Sequence, residues 1–162
     1  MSEIYKFILD LRAIRQYDEE PVSREDLEKI LEAARWTGSS KNTQNWSFVV
    51  FTDRDKLDEL AKAGSFTDPL RNATAAIVLV MEPGGYEFDI GRAAQNIMLA
   101  AKAIGVVSCP ITLHKQDVAH SVVGAEKGQT ARYAIALGYP SEESKPAHFG
   151  GRKDSKRLVR WI

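Results

Sequence analysis

The chain has 162 residues, of which 44% are hydrophobic and 27% charged, a composition typical of one folded domain with its own core. Basic and acidic residues are balanced at 22 each, so no net charge favours binding to nucleic acid or to an anionic membrane. No apolar run approaches the roughly 20 residues that span a bilayer, and the N-terminus lacks the pattern of a signal peptide, so we predict a cytoplasmic protein.

Two helices and a polar loop are predicted in the first part of the chain. The stretch EIYKFILDLRAIRQY has apolar residues at helical spacing, namely Ile4, Phe7, Ile8 and Leu11. The stretch PVSREDLEKILEAARWTG has Ser23 as its predicted N-cap, Gly38 as its predicted stop, and a buried stripe of Leu27, Ile30, Leu31 and Ala34. The loop GSSKNTQNW follows. Taken alone, a loop this polar is more often solvated than functional.

Three strands are predicted in the stretches SFVVFTD, ATAAIVLVME and TARYAIALGYP, which are rich in β-branched and aromatic residues. The second is apolar throughout, so we expect it to be covered on both faces. The stretch DRDKLDELAKAG, between the first two strands, predicts a short charged helix.

The longest helix is predicted in DIGRAAQNIMLAAKAIGVVS, with Asp89 as its N-cap and Gly105 at its end. It is apolar nearly all round, which indicates burial in the core or at a subunit interface. A short turn is expected before Pro110, and HKQDVAHSVVGA predicts a further helix. The mixture of helices and strands indicates an α+β fold in a single domain over 1–162, with a polar and basic tail over 141–162.

No signature of a familiar catalytic machinery is present. The chain lacks a P-loop and a GxSxG nucleophile elbow, and its three histidines lack a metal-ligand spacing, so we predict no metal and no catalytic side chain. The single cysteine, Cys109, lies in the apolar stretch GVVSCPI and is interpreted as a small core residue. This absence favours chemistry carried by a bound cofactor.

Basic residues far apart in the chain could meet at one phosphate group. Arg12 and Arg15 are three residues apart, and Arg152 and Lys153 follow a glycine pair. Guanidinium groups offer a forked geometry that suits phosphate. The alternative is that the arginines form surface ion pairs with nearby acidic residues.

Several stretches, in order, resemble the nitroreductase family of FMN-dependent oxidoreductases. LRAIRQYDEEPV is similar to an N-terminal pattern R-R-S-x-R-x-F/Y followed by P-V. AARWTGSSKNTQNWSFVVF is similar to A-x-x-x-P-S-x-x-N-x-Q-P-W-x-F, and DIGRAAQNIMLAAKAIGVVSCPI to D-x-G-x-A-x-Q-N-x-x-L-A-A-x-x-x-G-x-x-S-C-P-I. AIALGYP matches the strand that usually follows, and GGRKDSKRLVRW is similar to G-R-K-P-x-x-x-x-V-x-W. The resemblance covers nearly the whole chain.

The resemblance implies a mostly antiparallel central sheet flanked by helices, and a homodimer that binds FMN between its subunits. The polar loop would reach across to the partner's flavin, whose rim of donors and acceptors suits short amides and hydroxyls. The 141–162 tail would dock on the partner subunit. The implied cofactor-binding residues are Arg12, Ala13, Arg15, Ser39, Ser40, Asn42, Gln44, Pro110, Ile111, Thr112, Arg152 and Lys153.

The implied reaction has two halves. NADH or NADPH delivers a hydride to N5 of FMN, near a backbone N–H of the 110–112 segment. A nitroaromatic, a quinone or a similar conjugated small molecule then takes the electrons. Arg15 would stabilise negative charge near N1 and O2 of the flavin. No catalytic side chain is required, since water can supply protons.

The chain departs from the family pattern at several positions. Leu11 and Ala13 stand where arginine and serine are frequent, which would make phosphate binding depend more on Arg12 and Arg152. Asn45 replaces a proline, and Thr112 stands where some members have glutamate. The chain is also short for the family, which implies an open site.

Three alternatives stay open. The same scaffold serves other flavin chemistry, namely dehalogenation, dehydrogenation or flavin breakdown. The chain could instead form a non-catalytic dimer that binds flavin or another nucleotide, or a dimeric domain whose polar loop is simply solvated.

Overall fold

The fold is built on one antiparallel sheet of four strands in the order β1-β2-β4-β3. A computed structural model describes residues 1–146 and 151–162; residues 147–150, part of the predicted docking tail, lie outside the described residues. The strands are β1 (Trp46–Phe51), β2 (Ala75–Met81), β3 (Val107–Thr112) and β4 (Thr130–Gly138). The predicted α+β class with an antiparallel sheet is confirmed.

Helices cover both faces of this sheet. One face packs against α2 (Arg24–Arg35) and α5 (Glu87–Ala103), and the other against α3 (Arg54–Ala61), α4 (Asp68–Asn72) and α6 (Gln116–Val123). The chain begins with α1 (Glu3–Leu9).

Strand β2 lies at the centre of two hydrophobic cores. Because successive side chains point to opposite faces, Ala76 and Val78 join the core under α3, while Ile77 and Leu79 join the core under α2 and α5. All four side chains are at most 1% exposed. The expectation that this strand is covered on both faces is therefore confirmed.

Helix α2 follows its sequence signals closely. The Ser23 hydroxyl accepts a hydrogen bond from the Asp26 N–H at 3.1 Å, so the predicted N-cap is confirmed. Within the predicted stripe Leu27, Ile30 and Ala34 are buried, and Leu31 is half-buried. The helix ends at Arg35, three residues before Gly38, so the predicted stop at Gly38 is wrong.

Two other helix predictions also need correction. The first helix ends at Leu9, because the following segment bonds to the sheet: the Ile14 N–H donates to the Ser108 carbonyl at 2.9 Å. Helix α5 begins at Glu87, so Asp89 is not its N-cap. Asp89 lies in the first turn, where negative charge is favourable, and its buried carboxylate contacts Arg92 at 3.5 Å.

The end of β4 is tied to α2 by a hydrogen bond from the Tyr139 hydroxyl to the Asp26 carboxylate at 2.6 Å. This hydrogen bond is the main cause that lowers the pKa of Asp26 below its ordinary value. A carboxyl group with a lowered pKa stabilises the fold above its unfolded pKa, near 3.9, and loses that contribution as the pH falls through the folded value.

Replacing Tyr139 with phenylalanine is therefore expected to lower the midpoint of thermal unfolding near neutral pH. The difference from the wild type should shrink as the pH falls below about 4, since a protonated Asp26 no longer gains from the hydroxyl. Thermal unfolding at pH 6 and pH 3 measures this directly. In an Asp26→Asn background, the change in unfolding midpoint caused by Tyr139→Phe should not depend on pH. If the change is also independent of pH in the wild-type background, the Tyr139 hydroxyl does not stabilise the charged form of Asp26.

Candidate functional site

The outer edge of β3 forms one wall of the candidate site. The Leu113 N–H donates to the Arg132 carbonyl of β4 at 2.8 Å. Because backbone groups alternate in direction along an antiparallel strand, the N–H and carbonyl groups at positions 108, 110 and 112 point away from β4, apart from the N–H that proline lacks. The Ser108 carbonyl accordingly accepts a bond from outside the sheet. Pro110 thus occupies a position where its missing N–H costs no ladder hydrogen bond.

The outward position also leaves a donor at this edge. The Thr112 N–H points away from β4 and has no partner among the described residues. The segment was expected to follow a short turn; the structure shows that it is a strand at the sheet edge. An edge strand with a free N–H beside a proline is open to a bound molecule.

A cavity of about 740 Å³ lies beside this edge, within the size range of small-molecule sites. It brings four of the predicted cofactor residues together: Arg15, Pro110, Ile111 and Thr112. Arg15 is placed there by the neighbouring Ile14, whose N–H bonds to the β3 edge. The Arg15 guanidinium forms no hydrogen bond or ion pair with the described residues. We call this the Arg15 cavity.

Helix α4 supplies a wall of the Arg15 cavity that was missed in the sequence. The residues concerned are Phe66, Asp68, Pro69 and Asn72, and His114 lies beyond β3 on the same cavity. The Thr67 hydroxyl holds the start of this helix by donating to the Ala61 carbonyl at 2.5 Å. The available signal was the triplet Thr67-Asp68-Pro69, because proline is favoured in the first turn of a helix.

Cys109 also lines the Arg15 cavity but is only 2% exposed. Burial raises the pKa of its thiol, and the nearby positive charge of Arg15 opposes this effect. A buried neutral thiol agrees with the interpretation of Cys109 as a core residue.

The predicted residues of the polar loop, Ser39, Ser40, Asn42 and Gln44, lie together on the connection between α2 and β1. The Ser39 hydroxyl accepts a bond from the Gln44 N–H at 2.9 Å and so closes the loop on itself. None of the four lines the Arg15 cavity of the same chain. Their contact with a flavin bound to a second subunit therefore stays a prediction.

The other predicted basic residues lie outside the Arg15 cavity. Arg12 donates to the carbonyls of Leu9 and Leu11 at 2.6 and 2.7 Å, and it lines a smaller cavity of about 130 Å³. Arg152 and Lys153 are exposed on the C-terminal segment, and the neighbouring Gly150 lies outside the described residues. Ala13 is half-buried against the core. A shared phosphate site for the basic residues stays a prediction.

Within residues 1–146 and 151–162, no group of three or more metal-ligating side chains is placed to hold an ion. No helix in the same part of the chain combines the length and the apolar character needed to cross a membrane.

Comparison with known proteins assigns the family. A sequence profile of the nitroreductase family matches residues 8–76 and 68–139. A protein of Archaeoglobus fulgidus, provisionally named NADH dehydrogenase/NAD(P)H nitroreductase, is similar at 34% identity over 154 residues, which cover 88% of each chain. The chain belongs to the nitroreductase family. The sequence-based prediction of this family is thereby confirmed.

Solved structures of similar proteins agree with this assignment. An FMN-dependent nitroreductase of Clostridium difficile superposes with a TM-score of 0.84 at 28% identity, over 96% of both chains. A provisionally named nitroreductase of Desulfovibrio desulfuricans, solved in complex with FMN, superposes with a TM-score of 0.84 at 25% identity, over 100% of this chain and 98% of that chain. The part of the chain that the structure describes therefore has the nitroreductase fold.

The Arg15 cavity of this nitroreductase-family chain has groups that suit a flavin. The ring system of FMN joins an apolar part to a polar rim of donors and acceptors. Pro110, Ile111 and Phe66 offer apolar contacts, while Arg15 and the Thr112 N–H offer donors. A cation beside a donor is suited to a ring edge that carries negative charge. The residues present therefore fit the cofactor.

Proposed function

We propose that the protein is an FMN-dependent oxidoreductase that oxidises NAD(P)H and reduces small conjugated acceptors such as nitroaromatics or quinones. The observation that carries this proposal is the Arg15 cavity, where a cation with no partner among the described residues lies beside the apolar outer edge of β3. The names of the family relatives bear out FMN and NAD(P)H as cofactors. FMN, when bound, would supply the transfer of hydride and electrons.

The residues of this chain would bind and orient the cofactor. Arg15 would hold positive charge against the polar edge of the ring, where it would favour the reduced, more negative state. Pro110 and Ile111 would present an apolar surface to the ring, and the Thr112 N–H would donate to a ring acceptor. Phe66, which is 83% exposed at the rim of the cavity, would shield the bound ring from water. Arg12, Arg152 and Lys153 are proposed for the phosphate.

We also propose a cytoplasmic homodimer of single-domain subunits, each domain spanning 1–162. Every residue of α1 lies outside the core, and its apolar side chains Ile4 and Ile8 are 74% and 48% exposed. The C-terminal residues Trp161 and Ile162 are also fully accessible in a single chain. Apolar surface on this scale favours a protein partner, which supports docking of the 141–162 tail on the second subunit.

The visible spectrum of the purified protein tests the proposed function. Incubation with FMN followed by removal of free flavin should leave a yellow protein. Anaerobic addition of NADH or NADPH should bleach its flavin absorption, and a quinone or nitroaromatic should restore it. Comparing the two nucleotides also decides which donor the enzyme prefers.

Each failure of this experiment has a distinct meaning. A protein that stays colourless with added FMN would contradict the flavin site altogether. A protein that binds FMN but is bleached by neither nucleotide would favour a non-catalytic binder. Bleaching without turnover of any quinone or nitro compound would favour other flavin chemistry on this scaffold.

A further inference from the structure

The loop over residues 38–46 has a strained backbone. Lys41, Asn42 and Gln44 have φ angles of 52°, 54° and 51°, in the left-handed region. Asparagine tolerates this region, but lysine and glutamine adopt it rarely. A chain that is free to relax leaves such a conformation, so surrounding contacts must hold the loop in place.

Helix α5 holds the start of this loop with two side chains on one face. The Arg92 guanidinium donates to the Gly38 carbonyl at 2.8 Å, and the Asn96 amide donates to the Thr37 hydroxyl at 2.8 Å. A side chain at position 38 would place its Cβ 3.0 Å from Nη2 of Arg92. Glycine at this position therefore allows the guanidinium to lie directly against the backbone.

Arg92 is itself held in place by two neighbouring side chains of α5. The buried carboxylate of Asp89 lies 3.5 Å from its guanidinium, and the Phe88 ring lies under it at 5.7 Å. All these groups lie on the first turns of α5, a helix of 17 residues packed on the sheet. Arg92 therefore connects the loop to a rigid part of the fold.

The far end of the loop is fixed separately. The Glu82 N–H donates to the Asn45 carbonyl at 3.1 Å, and the Glu82 carboxylate accepts bonds from Ser47 and Gln129, each at 2.8 Å. Residues 40–44, between the two anchors, are exposed and include the three residues with left-handed φ angles. The loop is thus held at both ends, with its cofactor-facing candidates in the middle.

We propose that Arg92 is a positioning residue, which holds the 38–46 loop in the strained conformation that presents Asn42 and Gln44 to FMN at the subunit interface. This inference rests on the proposed function. A ligand that needs one loop conformation binds more weakly in proportion to the fraction of molecules outside it. Loss of the Arg92 anchor lets the loop relax and so lowers the apparent affinity for FMN.

The test compares Arg92→Ala and Arg92→Lys with the wild type in the full-length chain. Titration of FMN, followed by quenching of its fluorescence, should show a Kd raised about fivefold to tenfold in Arg92→Ala. Arg92→Lys retains a donor for the Gly38 carbonyl and should recover part of the loss. Arg24→Ala is the matched control, because among the described residues the exposed Arg24 side chain pairs only with Glu28 of the same helix, and its loss should leave the Kd unchanged.

Hydrogen exchange on the protein without FMN separates positioning from general destabilisation. In Arg92→Ala the amides of Asn42 and Thr43, which bond to Ser39 and Ser40, should exchange faster, while those of β2 stay unchanged. A Kd within twofold of the wild type, or unchanged exchange in the loop, would overturn the inference alone. A wild-type protein that fails to bind FMN would overturn both the inference and the proposed function.

Discussion

Replacing Arg15 with glutamine is expected to weaken FMN binding by about 10- to 100-fold, because a hydrogen bond to a charged group contributes roughly 1.5–3 kcal/mol. Arg15 supplies the positive charge in the cavity at the β3 edge, and no described residue pairs with it. Glutamine keeps an amide donor, but it is shorter than arginine and carries no charge. Equilibrium titration of FMN by fluorescence quenching measures the change.

Riboflavin, which lacks the phosphate, shows which part of the cofactor Arg15 contacts. If Arg15 lies at the ring edge, Arg15→Gln should weaken the binding of riboflavin and the binding of FMN by the same factor. If it lies at the phosphate, only FMN binding should weaken. Arg24→Gln, on the surface of α2, is the matched control. An FMN affinity within threefold of the wild type in Arg15→Gln would contradict the placement of the cofactor in this cavity.

Replacing Gly138 with alanine is expected to destabilise the protein by about 2–3 kcal/mol, the upper part of the range for overpacking. A Cβ at position 138 would lie 2.6 Å from the Cβ of Tyr17 and 2.8 Å from its Cγ. Tyr17 has little room to withdraw, because the Ile14 N–H bonds to Ser108 of β3 and the Asp18 N–H bonds to Tyr139, just after β4, each at 2.9 Å. Chemical unfolding of the variant measures the loss.

A second substitution identifies the cause. In a Tyr17→Gly background the Cβ and ring atoms that would clash are all absent, so adding Gly138→Ala should produce little further loss of stability. The coupling energy of this double-mutant cycle should therefore be close to the loss measured for Gly138→Ala alone. Equal losses in both backgrounds would show that the clash with Tyr17 is not the cause.

Elements whose signals lie within their own residues were predicted correctly. The Ser23 cap and the apolar stripe after it specify α2, and continuous apolar character specifies β2. Helices α3 and α6 and strands β1 and β4 also lie inside the predicted stretches or within one residue of them. Local hydrophobic period and capping are properties of the chain itself, so they can be identified before folding is known.

Elements that depend on distant contacts were missed. A proline argues against a central strand, and Pro110 is acceptable in β3 only because this strand lies at the sheet edge. Helix α4 has five residues, too few for a periodic pattern. The first helix was predicted too long, because the bond from Ile14 to Ser108 draws the chain after Leu9 to the sheet.

The candidate site shows the same division. Resemblance to the family was enough to name Arg15, Pro110, Ile111 and Thr112, although Arg15 is far in the chain from the other three, which are consecutive. Their meeting in one cavity depends on the pairing of β3 with β4 and on the segment that borders its free edge. The wall contributed by α4 carried no chemical motif and became visible only in the folded chain.

Family, fold class and most helices and strands were thus encoded in local patterns and motifs of this chain. The strain of the 38–46 loop, its attachment to Arg92 and the outward N–H of Thr112 were not. They arise from strand order, register and packing between elements far apart in the chain. Such contacts form only when the whole sheet assembles, so no local pattern of residues specifies them.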